Sequence, residues 1–264
     1  MNGVWKEENK NGREMRGIIK GVAVALGFAT IFLLTSAWAL DLAAIRVNMS
    51  TADRAPEWYS PAWLTNSPFS PEFELLDTES ALGRYAPMGK RVTLKDLVKF
   101  HGHACDGLVQ AACALRLALD ALFPAVPVDR TDLRAMSKNA PCFVDAVAYL
   151  TGGRINFGTL EIDDTLGPCW IIQRISTGKA VKVCLRQGVF PSDLAALEKK
   201  IKEGKATPEE ITRCRDMAFQ FSKDLLTRPL AESFKVEAVA GFTFPESDYP
   251  RVGKRSDIIQ KNHP

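Results

Sequence analysis

Apolar side chains fall at a helical interval directly after Thr93. Leu94, Leu97 and Val98 are spaced for one helix face, and threonine is a residue type that caps a helix start. A second helix is predicted from about Gly107 to Leu122, with Leu108, Ala112, Leu115 and Leu119 forming one stripe before Pro124 stops it. Leu133 to Ser137 reads as a short strand. Pro141-Cys142 opens a third helix through Leu150, ended by Gly152-Gly153 in the way glycines end helices. Ile155 to Ile162 reads as a strand. Trp170 to Ile175 and Ala180 to Leu185 read as a hairpin about Ser176-Thr177-Gly178-Lys179. Ser192 caps a polar helix ending near Gly204. Thr207-Pro208-Glu209-Glu210 joins a capping box to a proline at the first helical position and opens a helix to about Leu226. Phe234 to Gly241 alternates as a last strand. Some five strands and five helices, with no internal repeat, predict an α+β domain over residues 93–245.

The flanks follow different patterns. Residues 40–92 are rich in proline and aromatics (Trp58, Tyr59, Trp63, Phe69, Phe73) and fit neither the helical nor the strand period. They read as an extended arm on the main domain, with a short helix near Ser80 to Arg84. Residues 246–264 form a polar, loosely held tail. At the other end, Gly21 to Leu34 is an apolar run behind a basic leader and ahead of Ala37-Trp38-Ala39. A charged leader, an apolar core and an Ala-x-Ala exit build a secretory signal peptide over residues 1–39, with Met15 an alternative start. The competing reading is an uncleaved anchor over residues 17–40, long enough to span a bilayer with some tilt. Either reading has this segment engage the membrane or the export machinery and places the body in a periplasm.

The basic excess is local. The chain's net charge is +3, and residues 1–39 hold five Lys/Arg against three Asp/Glu, leaving a nearly neutral body. That body offers no electrostatic case for nucleic acid. Export permits disulfides, and six cysteines are an even number, yet the domain is large enough to do without staples. No Cys-x-x-Cys occurs, which excludes a thioredoxin-type redox pair and a zinc ribbon. Cys113 and Cys214 read as core packing. Cys169 and Cys184 share a hairpin face. With a two-residue turn at Thr177-Gly178, however, Cys184 would face Ile171, leaving the two cysteines diagonal and too far apart for an unstrained disulfide. A longer turn would reverse that expectation.

Two of the three histidines and one cysteine fall within Phe100-His101-Gly102-His103-Ala104-Cys105-Asp106-Gly107-Leu108; the third, His263, sits near the chain end. In an extended backbone His101, His103 and Cys105 face the same way. Imidazole nitrogen and thiolate sulfur suit zinc, copper or iron rather than magnesium or calcium. Gly102 removes a side chain that would crowd the rings, and Gly107 gives the chain freedom to turn. Cys105 lies just ahead of a helix start, where backbone N–H groups favour a thiolate, whereas the neighbouring Asp106 carboxylate opposes one. Cys142, at another helix start, is the candidate fourth ligand, and Asp145 one turn on is placed to orient a ligand histidine. Two helix starts converging on one pocket would suit a thiolate or a small anionic ligand.

These residues resemble the signature of the formylmethanofuran dehydrogenase FmdE family. The likeness is carried by Phe-His-Gly-His-x-Cys-x-Gly-Leu at 100–108, by Cys142-x-x-Asp145-Ala146 with Leu150-Thr151-Gly152, and by Ser176 to Val183. The resemblance implies a thioredoxin-like α+β core, a mixed five-stranded sheet flanked by helices, and a His/Cys site able to hold zinc. It departs at Asp106, where the family carries proline, and at Gly153 and Phe157, where it carries a second thiol and a lysine. The family's C-terminal zinc finger is not expected here, since no cysteine follows Cys214. An exported chain would not sit beside a cytoplasmic dehydrogenase, so that activity is not inherited.

Three functions fit. The leading one is an exported metal-binding domain with zinc or another soft divalent ion on His101, His103, Cys105 and Cys142. The second is a thiol-dependent enzyme with Cys105 as nucleophile or redox thiol and His101 or His103 as base. The third is an interaction module docking through residues 40–92. A homodimer is left open.

Overall fold

The computed structural model describes residues 59–80, 88–125, 127–256 and 258. The signal or anchor segment, Met15, the first part of the arm, the end of the helix read at Ser80 to Arg84, and His263 lie outside them. Among the described residues no helix is long and apolar enough to cross a membrane.

Element order is α1 (Trp63–Asn66), β1 (Glu72–Leu76), β2 (Lys90–Thr93), α2 (Leu94–His101), α3 (Asp106–Leu122), β3 (Val128–Asp129), β4 (Leu133–Ser137) and α4 (Pro141–Thr151). Then follow β5 (Leu160–Ile162), β6 (Cys169–Arg174), β7 (Ala180–Leu185), α5 (Ser192–Lys202), α6 (Pro208–Leu225), α7 (Leu230–Ser233) and β8 (Phe234–Ala238). The larger sheet runs β5-β4-β6-β7-β8, with β4 and β5 parallel and the other pairs antiparallel. The chain is thus an α+β fold with a mixed five-stranded sheet.

The expected helix starts form for the expected reasons. Thr93 and Asp96 make a capping box at α2, as Thr207 and Glu210 do at α6. Gly152 closes α4 in the left-handed region, at φ 66°. Helix α3 is buried on nearly every side from Gly107 to Leu115, which its run of Ala, Val, Leu and Cys permits. Its stripe meets Trp170, Ile172 and Val183 from the sheet in one core.

Three local expectations fail. Residues 72–76, within the segment read as an arm, form β1, which pairs with β2 and β3 in a second, three-stranded sheet. The strand expected from Ile155 starts only at Leu160, because Ile155–Phe157 winds into a 3₁₀ turn that Gly158 closes at φ 62°. The hairpin turn is longer than two residues. The Ile175 N–H donates to the Asp132 carbonyl and the Ser176 N–H to the Asp132 carboxylate, both at 2.8 Å, so these two residues leave the ladder, which resumes at Lys179.

That extra length restores register. Cys169 faces Cys184 directly, their Cα atoms 4.1 Å apart, and the two are disulfide-bonded. A closed loop of about 15 residues is worth roughly 3 kcal/mol in the chain-entropy model. Beyond β8 the chain stays in contact with the body. Phe244 packs under Arg134, and the Gly253 N–H donates to the Asn156 carbonyl at 2.8 Å.

Candidate metal centre

The first ligand is placed by the end of a helix. His101 is the last residue of α2, and Gly102 then takes φ 102° while its N–H caps back to the Val98 carbonyl. The motif is therefore not extended throughout. It turns at Gly102, and a Cβ at that position would meet nothing within 4 Å. Glycine is needed there for its backbone conformation and not to relieve crowding of the rings. The turn still brings the groups together: ligand atoms of His101, His103 and Cys105 all lie within 4.8 Å of one another. The two imidazole centroids are 4.5 Å apart.

Asp145, one turn into α4, meets His101. Its Oδ2 lies 2.8 Å from Nδ1, and the His101 side chain is only 6% exposed. A carboxylate accepts, so Nδ1 carries the proton and Nε2 presents its lone pair toward the Cys105 sulfur at 3.6 Å. His103 is the exposed member. Burial, and then the charge of His101, hold its pKa below the usual histidine value, which favours the neutral, ligating form.

Cys105 is the N-cap of α3, and its sulfur accepts the Leu108 N–H at 3.4 Å. Cys142, the second residue of α4, interacts with Cys105 but is not among the three mutually close ligand groups. The pKa values of the two sulfurs are shifted in opposite directions. Cys105 is pushed up by the neighbouring Cys142 and by burial, whereas Cys142 is held down by Cys105 and by backbone N–H groups at the start of α4.

Gly107 makes room for the Cys142 sulfur. It is helical, so its value is not freedom to turn; a Cβ there would fall inside the van der Waals envelope of the Cys142 sulfur. Asp106 accepts a hydrogen bond from Gln110 Nε2 at 3.0 Å. Burial, and then the charge of Glu198, raise its pKa to about 6.

Asp106 makes stability depend on pH. Its folded-state value, about 6, exceeds the ordinary 3.8, so the native state holds this proton more tightly than the unfolded chain. Stability attributable to the group is full below about pH 4, falls as pH rises to about 6, and stays low above. The change corresponds to at most about 3 kcal/mol. Asp106→Asn is expected to remove the decline and leave the chain more stable at pH 7 by up to that amount. Urea midpoints at pH 4.5 and 7 check it; a variant that loses stability at pH 7 would contradict the reading.

Two cavities flank the motif, and no sequence pattern marks either. One, of about 480 Å³, has Asp106, Gly107, Lys138, Cys142, Phe190 and Glu198 among its lining residues. The other, of about 440 Å³, is lined by residues 102–105 together with Arg215, Ala218 and Phe219 of α6. The walls from α5 and α6 come from far along the chain. Glu198 and Arg215 each read, in their local sequence, as an ordinary solvated helix charge.

A family model described as "FmdE, Molybdenum formylmethanofuran dehydrogenase operon" matches residues 100–235. Among solved structures, the chain is similar to an FmdE-like protein of tungsten formylmethanofuran dehydrogenase type from Syntrophus aciditrophicus. Identity is 16%, coverage is 56% of this chain and 72% of that one, and the TM-score is 0.34. No curated protein matches.

Proposed function

This chain belongs to the FmdE family, and from that premise we propose that it is an exported metal-binding domain whose His101, His103 and Cys105 hold zinc or another soft divalent ion. The observation that carries the reading is the mutual closeness of two imidazoles and a sulfur. The donor set fits such an ion: neutral nitrogen and thiolate suit zinc-like metals. The Asp145 hydrogen bond supports it further, because ligating histidines commonly donate their second nitrogen to a carboxylate. Cys142 stands beside Cys105 as the fourth donor. When bound, the ion would supply Lewis acidity or a structural clamp. The family name does not by itself assign a reaction.

Export is supported by the leader-like N-terminal pattern and by the Cys169–Cys184 disulfide, a bond that persists in oxidising compartments. A second reading, a nucleophilic Cys105, draws on the hydrogen-bonded series Asp145–His101–Cys105. Against it stands the rise in the Cys105 pKa that neighbouring Cys142 and burial cause, which disfavours the thiolate a nucleophile needs.

Elemental analysis of anaerobically purified protein, with alkylation of native cysteines read by mass spectrometry, tests the proposal. About one equivalent of a zinc-class metal, with Cys105 protected from alkylation until a chelator is added, is the expected result. Metal-free protein that takes up no added zinc would overturn it.

A further inference from the structure

The cavity of about 480 Å³ lies within the size range of small-molecule pockets, and its wall divides by chemistry. Phe143, Pro168, Leu185 and Phe190 make it apolar. Its charged side chains are Asp106, Lys138, Glu198 and Lys202. Glu198 and Lys202 pair with each other along α5 at 3.5 Å. The other two have no counter-charge among the described residues. The Asp106 carboxylate accepts from Gln110 Nε2 at 3.0 Å and from backbone N–H groups at the start of α3, all neutral donors. Gln110 is itself buried, so the group that holds the carboxylate is fixed. The Lys138 ammonium rests over the Phe143 ring, 4.8 Å from its centroid, and meets no carboxylate. A half-buried charge without a partner costs free energy. A simple anion here would face Asp106 and Glu198, and a simple cation would face Lys138. Only a ligand bearing both signs satisfies both ends.

We propose that this cavity binds a small zwitterion with an apolar body, an amino acid or a dipeptide, whose ammonium sits on Asp106 and whose carboxylate sits on Lys138. The ligand's apolar side chain lies against Phe190 and Leu185. The start of α4 strengthens the Lys138 end. Its first three residues, Pro141, Cys142 and Phe143, line the cavity, and backbone N–H groups at a helix start favour an anion. At the start of α3 the Asp106 carboxylate already takes that place, which leaves this end of the cavity to a cation. The site goes beyond ion binding and uses none of His101, His103 and Cys105.

The test is equilibrium dialysis of labelled leucine and of labelled leucyl-leucine against the full chain, as purified, at pH 7.5. One of the two should bind at one equivalent per chain, and which one binds decides between amino acid and dipeptide. Its amide, which lacks the carboxylate, and its N-acetyl form, which lacks the ammonium, should each compete roughly ten-fold more weakly or worse. Two variants repeat the test from the protein's side. Lys138→Gln should weaken the zwitterion roughly ten-fold and leave the amide no weaker, and Asp106→Asn should weaken the zwitterion and leave the N-acetyl form no weaker. The analogues probe the same two charges on the unaltered chain, so the proposal can fail even where a variant does not fold. Arg215→Ala, in the wall of the other cavity, should bind as the wild type does. No binding of either ligand at millimolar concentration would overturn the proposal. So would an analogue as tight as the zwitterion, unchanged affinity in Lys138→Gln, or loss of binding in Arg215→Ala. Metal content, measured in the same samples, tests the other reading, so the two fail separately.

Discussion

The His103→Ala, Cys105→Ala double variant is expected to retain no metal, its content falling from about one equivalent per chain to background. Each substitution removes a donor from a set whose atoms lie within 4.8 Å of one another, and His101 with Cys142 leaves two donors where a zinc-class ion takes three or four protein ligands. Asp145→Asn provides the graded case. The amide can no longer insist on a proton at His101 Nδ1, so the ring loses the tautomer that presents Nε2 toward Cys105. Loss of such a partner typically weakens metal affinity about 10- to 100-fold. Competition against a chromophoric chelator measures both. The order expected is wild type, then Asp145→Asn, then the double variant with none. Unchanged metal content in the double variant would end the metal reading, because no other cluster of this kind occurs among the described residues.

The ligand trio is legible because it is local. Five consecutive residues bring the three groups near each other under almost any backbone, so the expectation of an extended strand fails at Gly102 and the trio still assembles. The helix starts are legible for the same reason: Thr93 with Asp96, and Thr207 with Glu210, satisfy their own N–H groups within one turn. The number of strands in the larger sheet follows from the apolar pattern, and their mixed pairing from the family resemblance.

What depends on distant partners is not legible. β1 alternates buried Phe73 and Leu75 with exposed Glu72 and Glu74, but its neighbours in the sheet are Lys90–Thr93 and a two-residue strand beginning at Val128. The hairpin taken in isolation argues against the Cys169–Cys184 disulfide. Asp132, on a separate turn, draws Ile175 and Ser176 out of the ladder and shifts the register by enough to join the cysteines. The seat of the Cys142 sulfur turns on the missing side chain of Gly107, and an absent atom leaves no pattern to read. Both cavities are closed by α5 and α6, whose charged faces give no local sign of it.

Trp170→Ala is expected to lower the unfolding free energy by about 3–5 kcal/mol, a loss comparable with a large share of a domain's total stability. Trp170 is fully buried on β6, the strand between β4 and β7, with its ring centroid 4.5 Å from that of Phe143. Truncation leaves a large void beneath the first turn of α4, and close-packed neighbours relax into such a void only in part. Trp170→Phe should cost much less. It keeps most of the ring, and it deletes an indole N–H that finds no acceptor among the described residues, so no hydrogen bond is lost. Urea titration should show a lower midpoint with an unchanged slope for the alanine variant. The site should feel the same change. Phe143 follows Cys142 directly, so loosening its ring frees the turn that carries the Cys142 sulfur. At a temperature where the alanine variant remains folded, Cys142 should therefore be alkylated faster than in the wild type. Equal stability of the alanine and phenylalanine variants would show instead that the indole's packing on Phe143 does not anchor α4 to the sheet.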